Sequence, residues 1–350
     1  MIAVKNERIT RETFNEATPA TSRLLTKPLE MRLASPWTFL IFLIIGIILP
    51  YVAPYTSLAT ECIIFSLFAV SFNILLGFTG LLSFGHAAFF GLGAYASGLA
   101  IEHWNVNALT ALGIGLLFAL FAAIVIGFLC LKSHGISFAF LTLAFGELIY
   151  FIAYQWSSLT GGEDGLGIHR STLNLFGIVI NLKNSLTRYY FILLITIICF
   201  FLIGRILNSP FGRVLLSIRE NEQRTAFLGF NTRTYKLISF SLSGLFSGVA
   251  GSLYTIHLAF VPIENLHWTT SGEIVIITLL GGMGNFFGPV IGTGLFIGLR
   301  ELISSFFERW QLLVGIIFVL IVIFLPDGLY VIPHKINTFF RKSKRKSTQR

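Results

Sequence analysis

The chain has 350 residues, 55% of them hydrophobic and only 12% charged, with a mean hydropathy of +0.80. A soluble domain carries roughly 25% charged residues and disorder needs low hydrophobicity. Both classes are therefore excluded, and long apolar blocks exclude the short alternating segments of a transmembrane barrel. The formal net charge of +9 sits in basic clusters that flank the apolar blocks, the pattern of the positive-inside rule and not of a nucleic-acid surface.

In chain order, residues 1–36 have mixed charge and include six Lys/Arg before Trp37. No short apolar region followed by a small-residue cleavage site is present, so this segment reads as a retained cytoplasmic arm. Charge-free apolar runs of about 18 residues or more then read as membrane spans. They are placed near 37–55, 57–76, 85–101, 108–131, 136–156, 189–207, 235–260, 272–283, 288–304 and 310–326. The 272–304 region admits one long span or two short ones broken at Gly281-Gly282-Met283-Gly284. The tail 327–350 holds seven Lys/Arg from Lys335 to Arg350. With both termini basic, both are expected in the cytoplasm, which requires an even number of crossings and selects ten.

The expected fold is an all-α polytopic membrane protein of about ten transmembrane helices over 37–326, N- and C-termini cytoplasmic. Loops 102–107, 157–188, 261–271 and 305–309 face outward, and 78–84, 132–135 and 208–234 inward. No soluble catalytic domain is left over, so transport is expected, not enzymatic chemistry. Cys62, Cys130 and Cys199 lie scattered in apolar blocks, no H-x3-H pair occurs, and the chain has no Gly-Lys dipeptide. Neither a metal site, nor a bound cofactor, nor a P-loop for ATP is expected in this chain.

Five segments carry further weight. Residues 80–95, GLLSFGHAAFFGLGAY, are dense in small residues at spacings that bring helices close. Glycines at 77, 80 and 85 suggest a break, and unwound backbone in a membrane needs a cavity or packed protein around it. Ser83, Gly85, His86 and Tyr95 are the candidate polar contacts of a pathway; tight packing alone explains the segment equally well. Gly281 and Gly282 open a second glycine cluster, in which Gly288 and Gly294 repeat the six-residue spacing of Gly85 and Gly91. Paired Gly/Pro-interrupted spans point to internal duplication, here resting on one shared spacing.

Glu147 falls in the middle of the fifth span, where an ionised group costs about 2.5–3.5 kcal/mol, so it must face the bundle interior or a wet cavity. With Thr142 before it and Tyr150 and Tyr154 on its face, it serves as a substrate-ammonium contact, as a proton relay or as a pin between two helices. The pin is favoured, because a single acid makes a poor relay. The loop TGGEDG at 160–165 lacks EF-hand ligand spacing and reads as a tight turn with two solvated acids. In the inner loop, residues 220–228 can form one short helix ending in Ala226, Phe227 and Leu228, with Gly229 as its stop. Such a helix has little core to join. It suits docking on a partner subunit, or else lying on anionic lipid.

Together, 80–95, 141–147 (LTLAFGE), 160–165, 217–229 with Tyr235-Lys236, and 281–294 resemble the permease subunits of branched-chain amino-acid ABC importers, in particular the LivM type. The resemblance implies that Arg219, Glu220, Asn221, Glu222, Arg224, Ala226 and Gly229 belong to the loop that seats in a groove of the ATPase. Glu222 and Gly229 keep the acid and glycine of the family's E-A-A…G pattern, while Gln223, Arg224 and Thr225 supply neither alanine. The resemblance further implies a bacterial inner-membrane complex with a second permease subunit, two P-loop ATPase subunits that use the ATP, and an extracytoplasmic substrate-binding protein. Leucine, isoleucine and valine are the implied cargo; the same family includes importers of urea and short amides. An ion-coupled secondary transporter built on Glu147 and a passive channel are the competing readings, and neither needs the 219–229 segment.

Overall fold

The structure is a computed structural model that describes residues 36–169, 172–175, 178–306 and 309–324. The arm expected over 1–36, Pro36 excepted, and the tail expected over 327–350 lie outside the described residues. Helices dominate: α1 (Pro36–Val52), α2 (Thr56–Asn73), α3 (His86–Trp104), α4 (Ala108–Cys130), α5 (Ile136–Gln155) and α6 (Ser185–Leu207) come first. Two short helices follow in the loop, α7 (Pro210–Glu220) and α8 (Glu222–Phe227), and then α9 (Thr232–Leu258), α10 (Trp268–Gly281), α11 (Gly288–Ser304) and α12 (Trp310–Phe324). Each predicted span has a helix close to it. By length and composition, five segments among the described residues are long and apolar enough to cross a membrane: Thr56–Thr79, Ala108–Cys130, Ile136–Gln155, Ser185–Leu207 and Thr232–Leu258. Shorter apolar helices such as Trp268–Gly281 accompany them. The chain is a multi-pass membrane protein.

The packing centres on α9, which lies against α2, α3 and α4. Apolar side chains gain little by leaving lipid for each other, so close backbone approach and interhelical hydrogen bonds must hold such helices. The contact face is accordingly small. Gly244 and Gly248 of α9 meet Ala123 and Ala119 of α4, and Gly93 of α3 meets the backbone of Gly248. The Ser252 hydroxyl donates to the Gly93 carbonyl at 3.0 Å and Thr255 to the Ala94 carbonyl at 3.1 Å. Away from this centre, Leu117, Phe118 and Phe121 of α4 and Phe140 and Phe151 of α5 are exposed, as lipid-facing side chains must be.

Four departures from the sequence expectations have local causes. The second helix does not stop near 76; a π-helical turn, Ile74–Thr79, extends it until Gly80 turns the chain with φ +79°. The sixth begins at Ser185, not 189, because Arg188 is no boundary: its guanidinium folds back and donates to the Leu182 carbonyl at 2.9 Å. The loop 157–188, to which the sequence assigns only a tight turn at 160–165, contains short strands. Strand β1 (Leu166–Gly167) pairs antiparallel with β4 (Phe260–Val261), and β2 (Thr172–Leu175) with β3 (Ile178–Asn181). Finally, the short helix expected over 220–228 is present as α8 but starts at Glu222, because the extended backbone of Asn221 (φ −159°) ends the preceding α7 and caps α8.

A charged tie went unnoticed in the sequence. Arg300 of α11 donates to the Glu61 carboxylate of α2, and the Tyr55 hydroxyl donates to Glu301. An ionised side chain at depth is tolerated where it is paired, and this pair fastens the second half of the chain to the first.

Candidate functional site

The 208–234 loop is built as a rigid bracket. Pro210 opens α7 with its preset φ, and Leu215 and Ile218 are buried while Arg213, Ser217 and Glu220 stay exposed. The Asn221 Oδ1 then accepts the Arg224 N–H at 2.9 Å, satisfying one of the orphan donors at the start of α8. Glu222 pairs with Lys236, a lysine buried at the foot of α9, so the base of α8 is tied to the central helix. Burial pulls the Glu222 carboxyl upward, yet the hydrogen bond and charge of Lys236 hold it below the usual carboxylate range. Gly229 stops the helix with φ +92°, donating its N–H to the Ala226 carbonyl at 2.9 Å. Beyond that stop, the Asn231 side chain caps α9 by accepting the Thr234 N–H at 3.3 Å.

What this bracket presents is apolar. Phe227 is 90% exposed and Leu228 71%, and Gln223, Arg224, Ala226 and Gly229 around them are also exposed. The seven residues expected in the loop therefore divide. Arg224, Ala226 and Gly229 lie on the displayed tip; Glu220 and Asn221 are exposed behind it; Glu222 is spent on Lys236. Arg219 points away from the tip and donates to the Gly77 carbonyl in the π turn.

The pathway candidates do not form one site. Gly85 and Thr142 meet where α5 crosses the start of α3: a Cβ at Gly85 would strike the Thr142 carbonyl, and Gly146 rests on the Gly85 backbone. Ser83 is buried here without a hydrogen-bond partner among the described residues. His86 sits in a phenyl cage of Phe68, Phe72, Phe89 and Phe240, its Nε2 2.8 Å from the Ser243 hydroxyl. Because Ser243 donates its one proton to the Ser71 carbonyl at 2.6 Å, His86 must donate from Nε2. Tyr95 lies about 13 Å further along α3 by helical rise, in a cluster with Val261 and Leu266, its hydroxyl without a hydrogen-bond partner among the described residues. Gly281 and Gly282 belong to the break before α11, packed against Gly288.

Glu147 reaches from α5 to the start of another helix. Its Oε1 accepts the Trp268 backbone N–H at 3.1 Å, one of the unpaired donors at the start of α10. Sequence reasoning missed the hydroxyl ladder between α2 and α9, in which Ser71 meets Ser247 at 2.8 Å and Thr79 meets Ser239 at 2.6 Å. The signal was available as Ser239, Ser243 and Ser247 at four-residue spacing, one face of a helix.

The comparisons with known proteins agree with this layout. Residues 55–324 match the family described as the branched-chain amino acid transport system / permease component. The chain belongs to that family. It is 31% identical over 293 residues to the high-affinity branched-chain amino acid transport system permease protein LivM of Escherichia coli K12, covering 78% of this chain and 69% of that protein. The probable LivM permease of Methanocaldococcus jannaschii is 26% identical over 317 residues, 76% of this chain and 90% of that protein. A shorter stretch of 90 residues, 24% of this chain, is 30% identical to the autoinducer 2 import system permease protein LsrC of Photorhabdus laumondii. No solved structure matches the chain.

As a member of this permease family the chain invites one direct test at Glu147. A glutamine there keeps the carbonyl oxygen that accepts the Trp268 N–H, so Glu147→Gln is expected to retain uptake within about twofold of wild type, an exposed neutral hydrogen bond being worth only ~1 kcal/mol. Uptake abolished at normal membrane abundance would instead make the charge itself functional.

Proposed function

We propose that this chain is the membrane-spanning permease subunit of an ATP-driven ABC importer that moves branched-chain amino acids (leucine, isoleucine, valine) into the cell by alternating access. The observation that carries the reading is the α8 tip, with Phe227 and Leu228 exposed on a helix whose base is locked by the Glu222–Lys236 pair. An apolar knob on a rigid bracket suits a groove in a partner, which would cover the apolar surface and receive or deliver a push. In this reading two P-loop ATPase subunits close on ATP, displace the bracket, and the spans rock between outward and inward states. A second permease subunit completes the pathway, and an extracytoplasmic binding protein delivers the cargo.

Orientation follows from charge. Lys132 and Arg233 both lie over the Phe128 ring, so the 132–135 turn and the basic 208–234 loop share one end of the bundle. That end is assigned to the cytoplasm of a bacterial inner-membrane protein with ten crossings and both termini inside. The secondary-transporter reading loses its main support, since the Glu147 carboxylate is engaged at the start of α10.

The test is to purify the tagged chain in mild detergent and identify co-purifying subunits by mass spectrometry. A P-loop ATPase and a second permease in stoichiometric amounts are expected. A chain that purifies alone, and transports in liposomes under an ion gradient, would overturn the reading.

A further inference from the structure

Arg219 stands where three pieces of the structure meet. It lies in the last turn of α7, three residues before α8 begins, and α7 packs directly on the π turn at the end of α2. Its Nη1 donates to the Gly77 carbonyl. Carbonyls in the last turn of a helix have no intrahelical partner and carry the negative end of the helix dipole, so a guanidinium is well matched to them. The same Nη1 lies so close to Gly284, in the break between α10 and α11, that a Cβ there would come within 2.7 Å of it. A Cβ at Gly80 would come within 3.1 Å of the Arg219 Cγ. Gly80 and Gly284 both have positive φ (+79° and +76°), which already favours glycine; their bare Cα atoms also leave the channel in which the arginine lies.

The two breaks are joined to each other as well. The Asn73 side chain donates to the Asn285 carbonyl at 2.8 Å and accepts the Gly284 N–H at 3.2 Å. The end of α2 and the α10–α11 break are thus tied together by hydrogen bonds, and Arg219 is the side chain of the loop bracket inserted between them.

We infer that Arg219 is a positioning residue that transmits displacement of the α7–α8 bracket to both glycine-broken spans at once, and that it takes no part in docking. The inference rests on the ABC reading above. It differs from the assignment of Arg219 to the ATPase-facing surface, and it makes Gly77, Gly80 and Gly284 the receiving end of the stroke.

The experiment uses the complete transporter reconstituted in liposomes, with radiolabelled leucine as the cargo and ATP hydrolysis measured in parallel. Wild type, Arg219→Gln and Arg219→Lys are compared for subunit ratio and for leucine moved per ATP hydrolysed. The expected result is an unchanged ATPase-to-permease ratio in Arg219→Gln with leucine per ATP lowered about tenfold, a coupling change typical of linked sites. Arg219→Lys, which keeps the charge but loses the fork, should fall between. Wild-type leucine per ATP in Arg219→Gln overturns the inference, and so does loss of the ATPase subunits from that variant, which would return Arg219 to the docking surface. If Arg219→Gln fails to reach the membrane while Arg219→Lys matches wild type in every readout, the residue is a folding contact and the inference is again overturned. A wild-type chain that carries no ATPase fails the ABC reading instead, before any variant is compared.

Discussion

A leucine at Gly93 is expected to leave no folded permease in the membrane. Gly93 faces the backbone of Gly248 where α3 crosses α9, and even a Cβ at this point would overlap main-chain atoms of the other helix. Side chains can rotate out of the way, but backbone of a central helix cannot. The crossing also holds the Ser252 and Thr255 hydroxyl bonds to the Gly93 and Ala94 carbonyls, and it lies beside Gly115 of α4. Overpacking typically costs about 1–3 kcal/mol where side chains can adjust. Here the helices must separate, so the loss should exceed that range and consume much of a marginal stability of about 5–15 kcal/mol. Gly113 is the control: it lies in α4 with nothing within reach of an added Cβ, so Gly113→Leu should behave as wild type. Abundance in membranes and size-exclusion profile in mild detergent decide the matter. A monodisperse Gly93→Leu protein at wild-type yield would show that this crossing does not organise the bundle.

The second large effect is expected at the tip of α8. Phe227→Asp should strip the ATPase subunits from the purified complex while leaving the permease itself folded. The side chain is 90% exposed and touches little of its own chain, so the substitution removes no core packing. It places a charge where an apolar side chain is taken to enter a groove. Buried aromatic anchors at interfaces are worth about 2 kcal/mol or more, so association should weaken at least ~30-fold. Subunit ratio after purification is the readout, with thermal stability of the permease measured alongside. An unchanged ratio would remove the tip from the docking surface, and with it the observation on which the ABC reading chiefly leans.

Much of this layout was legible in local sequence. The span expected over 288–304 coincides with α11, Gly288–Ser304, because Gly288-Pro289 and a charged exit mark both of its ends. Gly229 was read as a helix stop, and its φ of +92° is the conformation that such a stop demands. The breaks at the two glycine clusters were likewise expected, and Gly80, Gly282 and Gly284 all take positive φ there. Local reading failed where a polar residue was interpreted from its neighbours in the chain. Arg188 looked like the edge of a span and is part of the helix, because it answers to the Leu182 carbonyl. The helix expected over 220–228 starts two residues late, at Glu222, since nothing in the local composition shows that Asn221 turns its side chain to cap it.

The sequence by itself determined the solvent, the places of the apolar segments and the position of the 208–234 bracket along the chain. These depend on hydrophobicity summed over about 20 residues and on glycine's freedom at single positions, and both are local quantities. Only the tertiary structure decided the partners of the polar groups. Glu147 meets the start of α10, Glu61 meets Arg300, and Arg219 turns inward to Gly77 although the loop it belongs to is otherwise displayed. The partners lie 121, 239 and 142 residues away in the chain. In a medium without water a polar group left unpaired is costly, and which partner it finds is set by the helices that happen to cross beside it.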